Sequence, residues 1–268
     1  MEKLKKLALI PLLIVGILIF GAWTPYNANE QIRYADAPFI STYATETINF
    51  TSRVIAEENY TPNNCPIYRQ INGLTNSCGA VAGTMIVSYY DKYFNNLIPG
   101  WDSYYSNGSY RLQDTVYVPK VMNELYTLMR TNVDDEGVSE SDFVNGLKQY
   151  INNQGYNVQL QNLVSGNSFN YNGFKNAIDN GKVIALLTRP GDIYDLKYYS
   201  TYDMTETTTI AEPHIMVGYG YIQIKYYNAS GLFRTDTYLR VAVGKTANAA
   251  YYKVNDQTLT GAYIVSIS

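Results

Sequence analysis

Groups that can attack a carbonyl or carry a proton near neutral pH are scarce in this chain, which has 2 cysteines and 1 histidine in 268 residues. Cys78 stands in Asn76-Ser77-Cys78-Gly79-Ala80. It directly precedes a stretch in which Val81, Met85, Ile86, Tyr89, Tyr90 and Tyr93 recur at helical spacing. A thiolate attacks better than a thiol, and a helix N-terminus favours the anion. Cys78 is placed for that, and Gly79 lets backbone and substrate approach closely. A cysteine nucleophile needs an imidazole to take its proton. His214 is the sole candidate, far downstream at the start of His214-Ile215-Met216-Val217-Gly218-Tyr219-Gly220. Acyl transfer also needs oxyanion donors. The Cys78 backbone N–H is one, and the side-chain amides of Gln70 and Asn76 are rivals for a second. Cys65, in the turn-like Asn63-Asn64-Cys65-Pro66, is close enough in sequence to form a disulfide with Cys78 instead.

The elements that must position these groups can be read in order. Residues 29–64 are polar without a strong period and read as a linker, a short pro-segment or an arm. A buried helix follows Cys78. Pro119 fits the first turn of a second helix, with Val121, Met122, Leu125, Leu128 and Met129 on one face. Ser139-Glu140-Ser141-Asp142 resembles the cap of a third helix carrying Phe143, Leu147, Tyr150 and Ile151. A fourth helix near Asn172–Asn180 stops at Gly181. Tyr156–Leu160, Val183–Leu187, Ile215–Tyr227, Tyr238–Val243, Ala250–Val254 and Ala262–Ile267 read as strands, and residues 190–212 as a long polar loop. Helices first and strands second predict an α+β chain with segregated halves.

Composition narrows the function. Charged residues make up 16% and the net charge is −3, which argues against nucleic acid, since phosphate binding needs clustered Lys and Arg. A single histidine excludes a zinc site of several imidazoles, and no metal or cofactor is expected. The Asp134-Asp135-Glu136 run reads as a solvated loop. Lys3, Lys5 and Lys6, the apolar run Leu7–Phe20 and the small residues Gly21 and Ala22 have the order of a secretory signal. Residues 1–28 are therefore expected to direct export, to the cell surface or beyond, with no other membrane segment.

The stretch Pro66-Ile67-Tyr68-Arg69-Gln70 with Asn76-Ser77-Cys78-Gly79-Ala80-Val81-Ala82-Gly83-Thr84-Met85 resembles the nucleophile region of papain-like cysteine peptidases. It is closest to the bacterial branch related to double-glycine leader peptidases. His214-Ile215-Met216-Val217-Gly218-Tyr219-Gly220 resembles that superfamily's histidine strand. The resemblance covers residues 65–268. It implies a helical lobe carrying the cysteine, an antiparallel β lobe carrying the histidine and a cleft between them. It also implies hydrolysis of a peptide or protein substrate through an acyl-enzyme. By match to the motif, Cys78 is the nucleophile, His214 the base and acid, and Gln70 the oxyanion donor.

Two departures stand beside the match. Gln70 lies eight residues before Cys78, further than is usual in the family. The family's Asn or Asp opposite the histidine falls on Val243 by pattern and near Asn248 by a hairpin count, with Asp236 too close to the turn. Asn248 is the expected orienter, and a dyad without one is the alternative. The expected protein is a monomeric exported cysteine peptidase. The rival reading is an inactive binding protein, in which Tyr104, Tyr105, Tyr110, Tyr194, Tyr198, Tyr199 and Tyr202 make an adhesive surface. A cell-wall amidase or endopeptidase fits less well, because those folds bring cysteine and histidine closer in sequence.

Overall fold

The computed structural model describes residues 32–35, 39–61, 65–71, 73–101, 116–245, 249–254 and 258–268, and for 39–43 the main chain alone. The expected signal segment 1–28, Asn248, and Tyr104, Tyr105 and Tyr110 lie outside the described residues.

The described elements in chain order begin with β1 (Arg33–Tyr34), β2 (Phe39–Asn49) and β3 (Ser52–Tyr60). The first helices, α1 (Cys78–Asp91) and α2 (Tyr117–Leu128), precede β4 (Val138–Ser139) and α3 (Glu140–Asn153). Next come β5 (Val158–Asn162), β6 (Val164–Ser165), β7 (Ser168–Phe169), α4 (Tyr171–Asp179) and β8 (Ile184–Thr188). The C-terminal strands are β9 (Gly191–Tyr198), β10 (Tyr202–Ile210), β11 (His214–Asn228), β12 (Gly231–Ala242), β13 (Ala250–Lys253) and β14 (Leu259–Ile267).

This is not the expected papain-like α+β arrangement of a helical lobe followed by a β lobe. Strand dominates, and one ten-stranded antiparallel sheet runs in the order β2-β10-β9-β13-β12-β11-β8-β14-β5, with β3 added on β11. Two stretches add strands that their composition does not announce. Residues 39–60 showed no period because β3 is largely exposed and carries Glu57, Glu58 and Asn59 among its apolar residues. Residues 190–212 form the β9–β10 hairpin rather than a loop. Its threonines Thr205 and Thr207–Thr209 are polar by composition yet β-branched, and so suit a strand.

β11 organises the molecule. Its first half, His214–Gly218, pairs with β8, and its second half, Gly220–Tyr227, pairs with β3 on the same side; β12 runs along the other side. The switch falls at Gly218-Tyr219-Gly220, where the β12 register also shifts. A side chain on Gly220 would come within 2.9 Å of the Asn59 carbonyl oxygen, so glycine permits β3 to close against β11 there.

Both faces of the β8–β11 region are covered. Ala185, Leu187, Ile215 and Val217 enter the core that contains α1, α2 and α3, while Ile184, Leu186 and Met216 enter a second core with Phe174 and Ile178 of α4. That two-sided burial explains the continuous apolar run of β8. All 14 residues of α1 are buried, because α2 and α3 cover the side turned away from the sheet. The third helix begins as expected: the Ser139 hydroxyl accepts from the Asp142 backbone N–H at 3.0 Å. Ser139→Ala is expected to cost ~1 kcal/mol, read as a lower denaturation midpoint.

Candidate active site

Cys78 is the first residue of α1 and is buried with 3% of its surface exposed. His214 opens β11, buried with 1% exposed. Ile215 and Val217 face the core that contains α1, and alternation sets His214, at the strand's first position, on the face of Met216. The partners of its ring are main-chain carbonyls: Nε2 lies 2.7 Å from the Val243 oxygen and Nδ1 lies 3.4 Å from the Ala35 oxygen.

Two paths of contact join this ring to the tip of α1. On one side, Val243 leads into Gly244, whose φ is +81°. A side chain at Gly244 would lie 3.0 Å from Val81 Cγ1, one helical turn beyond Cys78. The Gly244 carbonyl also accepts from the Gln70 backbone N–H at 3.2 Å. On the other side, Ala35 follows Tyr34, which pairs with Val138. Val138 Cγ1 would lie 2.9 Å from a side chain at Gly79, the residue after Cys78. His214 and Gln70, from separate stretches of sequence, both contact Val243–Gly244, and Gly244 also lies against Val81, one turn along α1 from Cys78.

The Val243 carbonyl is the nearer acceptor to the His214 ring. β11 and β12 pair in a register that sets Val217 opposite Ala242, and β12 ends there. Asn248 lies outside the described residues. Asp236, set aside in the sequence, pairs with Ile224 far along the hairpin and is held by Arg234 and Lys253.

The two amide rivals differ in their surroundings. The Gln70 side chain donates to the Leu74 carbonyl, beside the His214 ring's support. Asn76, at φ 55°, donates to Asn132 Oδ1 at 3.0 Å. Asn132 was not singled out in the sequence, yet it ties the segment before Cys78 to the segment before β4. Its Nδ2 donates to the Thr75 carbonyl at 3.2 Å, and its Oδ1 accepts from the Gly137 N–H at 2.6 Å. A lone Asn in a loop carried no signal for this.

Cys65 and Cys78 form no disulfide with each other. Burial pushes the Cys65 thiol far up, which makes it a poor nucleophile. Nearby Lys92 is pulled down to about 8 by burial, partly opposed by Cys65. Its ammonium lies 4.0 Å from the centre of the Tyr89 ring. Below pH 8 both the folded and unfolded forms carry the Lys92 proton, and the desolvation cost is fully present. Between about 8 and 10.5 the unfolded chain holds the proton more firmly, so stability from this group rises with pH. The stability gap between the native protein and Lys92→Met, measured by urea denaturation, is expected to change across this range in favour of the native protein.

Among the described residues, no three His, Cys, Asp or Glu side chains gather as a metal site. The acidic run is engaged otherwise: Asp134 pairs with Arg130, and the Asp135 and Glu136 carbonyls accept from Arg33. Tyr199 and Tyr202 of the suspected adhesive set stack at 4.4 Å on the β9–β10 hairpin. No family model matches the chain, and no curated protein matches it either.

Proposed function

We propose that this chain is a cysteine-dependent hydrolase of peptide bonds, with Cys78 as nucleophile and His214 as base and acid. The reading rests on the approach of α1, through Val81, and of the His214 ring to the adjoining residues Gly244 and Val243.

The chemistry follows from the two ring nitrogens. The Val243 carbonyl can only accept, so Nε2 carries a hydrogen and the ring is held in one orientation. Nδ1 is then the atom that takes the thiol proton. The thiolate attacks the substrate carbonyl carbon to form the tetrahedral adduct, and imidazolium returns the proton to the departing amine. The acyl-enzyme is hydrolysed by water activated at the same nitrogen. The backbone N–H of Cys78 at the helix start and the Gln70 amide are the candidate oxyanion donors. For Gln70 this requires its side chain to leave the Leu74 carbonyl. Cys65 takes no part, since burial keeps it protonated.

The test is hydrolysis of a fluorogenic peptide library before and after alkylation with iodoacetamide, with the modified cysteine mapped by mass spectrometry. Turnover lost in proportion to Cys78 modification supports the reading. Turnover undiminished at complete Cys78 modification rejects it. His214→Gln is expected to lower kcat/KM by about 10³-fold or more, with the fold retained by circular dichroism.

A further inference from the structure

The segment Ile32–Ala35 is held in a manner suited to a peptide ligand. β1 pairs antiparallel with β4, Arg33 opposite Ser139 and Tyr34 opposite Val138. β4 has no other strand partner among the described residues, so β1 completes an otherwise open edge. The Arg33 guanidinium donates to three main-chain carbonyls, those of Asp135 at 3.0 Å, Glu136 at 3.4 Å and Gly137 at 3.0 Å. The Tyr34 side chain is fully buried and its hydroxyl lies 2.7 Å from Thr260 Oγ1. The Ala35 N–H donates to the Pro213 carbonyl at 3.1 Å, and its own carbonyl faces His214 Nδ1. Gly137, at φ +82°, forms the wall; a side chain there would collide with the Tyr34 carbonyl. Backbone pairing along an open edge, with pockets for particular side chains, is how extended peptides are recognised.

We propose that Ile32–Ala35 occupies the substrate groove of the Cys78–His214 site, and that this groove takes an extended peptide with a basic, a large aromatic and a small residue in succession. The choice of residues rests on three features: carbonyls for the basic group, a buried pocket ending in a hydroxyl for the aromatic ring, and main-chain contacts that hold Ala35 between the Pro213 carbonyl and the imidazole. With the segment seated, the Ala35 carbonyl stands 3.4 Å from Nδ1. The segment then blocks the nitrogen that the reaction uses. The inference rests on the proposed hydrolase reading only for the chemistry, and on the groove's own contacts for the binding.

The test uses the full chain, Arg33→Ala and Tyr34→Ala, with iodoacetamide labelling at each cysteine followed by mass spectrometry. Cys65 is the internal control, since unfolding exposes both thiols. Cys78 is expected to label about tenfold faster in Arg33→Ala while Cys65 does not change. The acetylated, amidated tetrapeptide Ile-Arg-Tyr-Ala added to that variant is expected to restore protection, and its Tyr→Ala version is not. Should Tyr34→Ala unfold and label both thiols together, Arg33→Ala decides. Equal Cys78 labelling in the native chain and Arg33→Ala, with no protection by the peptide, overturns the groove even if the protein hydrolyses peptides. Faster labelling and peptide protection without hydrolysis upholds the groove and removes the hydrolase reading.

Discussion

Cys78→Ala is expected to abolish the proposed peptide hydrolysis, with kcat/KM falling by at least about 10³-fold, while the protein stays folded. In the proposed mechanism the Cys78 thiol forms the acyl-enzyme, and the Thr84 hydroxyl, two turns along α1, is engaged in donating to the Ala80 carbonyl. The fold is spared because Cys78 sits at the end of α1 and loses one sulfur, a loss of about 1–2 kcal/mol. Hydrolysis is measured in the native chain and in Arg33→Ala, so that a seated N-terminal segment does not mask turnover. Cys78→Ser is expected to fall nearly as far, because a hydroxyl beside a single imidazole is a weaker nucleophile than a thiolate. Cys65→Ala is the matched control and keeps full turnover. Activity surviving in Cys78→Ala would assign the chemistry elsewhere.

A large effect on stability is expected behind α1, at Gly146. A side chain there would lie 2.6 Å from Met129 Cγ, 2.7 Å from Met129 N and 2.8 Å from Met129 Cα. Two of those three atoms are main chain, so the clash cannot be relieved by a change of rotamer. Gly146→Ala must instead push α3 from the end of α2, and both pack on α1. The expected cost is about 3 kcal/mol, the upper end of overpacking in a close-packed core. Gly166→Ala is the comparison. Its φ is +59° with nothing within 4 Å, so strain alone should cost ~1 kcal/mol. The two are compared by guanidinium denaturation at pH 7. Equal losses would mean that the α2–α3 contact is looser than described.

What could be read in the sequence depended on how clearly each segment signalled its burial. The helices were legible because their buried residues recur at three and four positions, as in Phe143, Leu147, Tyr150 and Ile151. Ser139 announced its cap by residue type and spacing. The hairpin of β11 and β12 was legible from the turn Asn228–Gly231 between apolar strands. Strands with exposed or polar faces were not: β3 shows solvent much of its surface, and β9 and β10 carry Asp, Lys and Thr throughout. Those omissions made the chain look helical first and β second, and led to the wrong architecture. Within the site, Cys78 and His214 stood out by scarcity. The Val243 carbonyl did not, since any residue supplies a carbonyl and only the register of β12 places this one against the ring. The Ala35 and Gly137 contacts had no sequence signal of their own, because main-chain recognition leaves little trace in residue type.

Because the chain has one histidine, its imidazole gives a single signal in the NMR spectrum of protein labelled with ¹³C-histidine. Following that signal through a pH titration, in the native protein and in Cys78→Ser, asks directly whether thiol and ring form one unit. Charge shared between thiolate and imidazolium couples their titrations, so replacing the thiol is expected to move the imidazole curve to lower pH. Superimposable curves in the two proteins, each fully folded, would show that Cys78 and His214 act independently and would contradict the dyad.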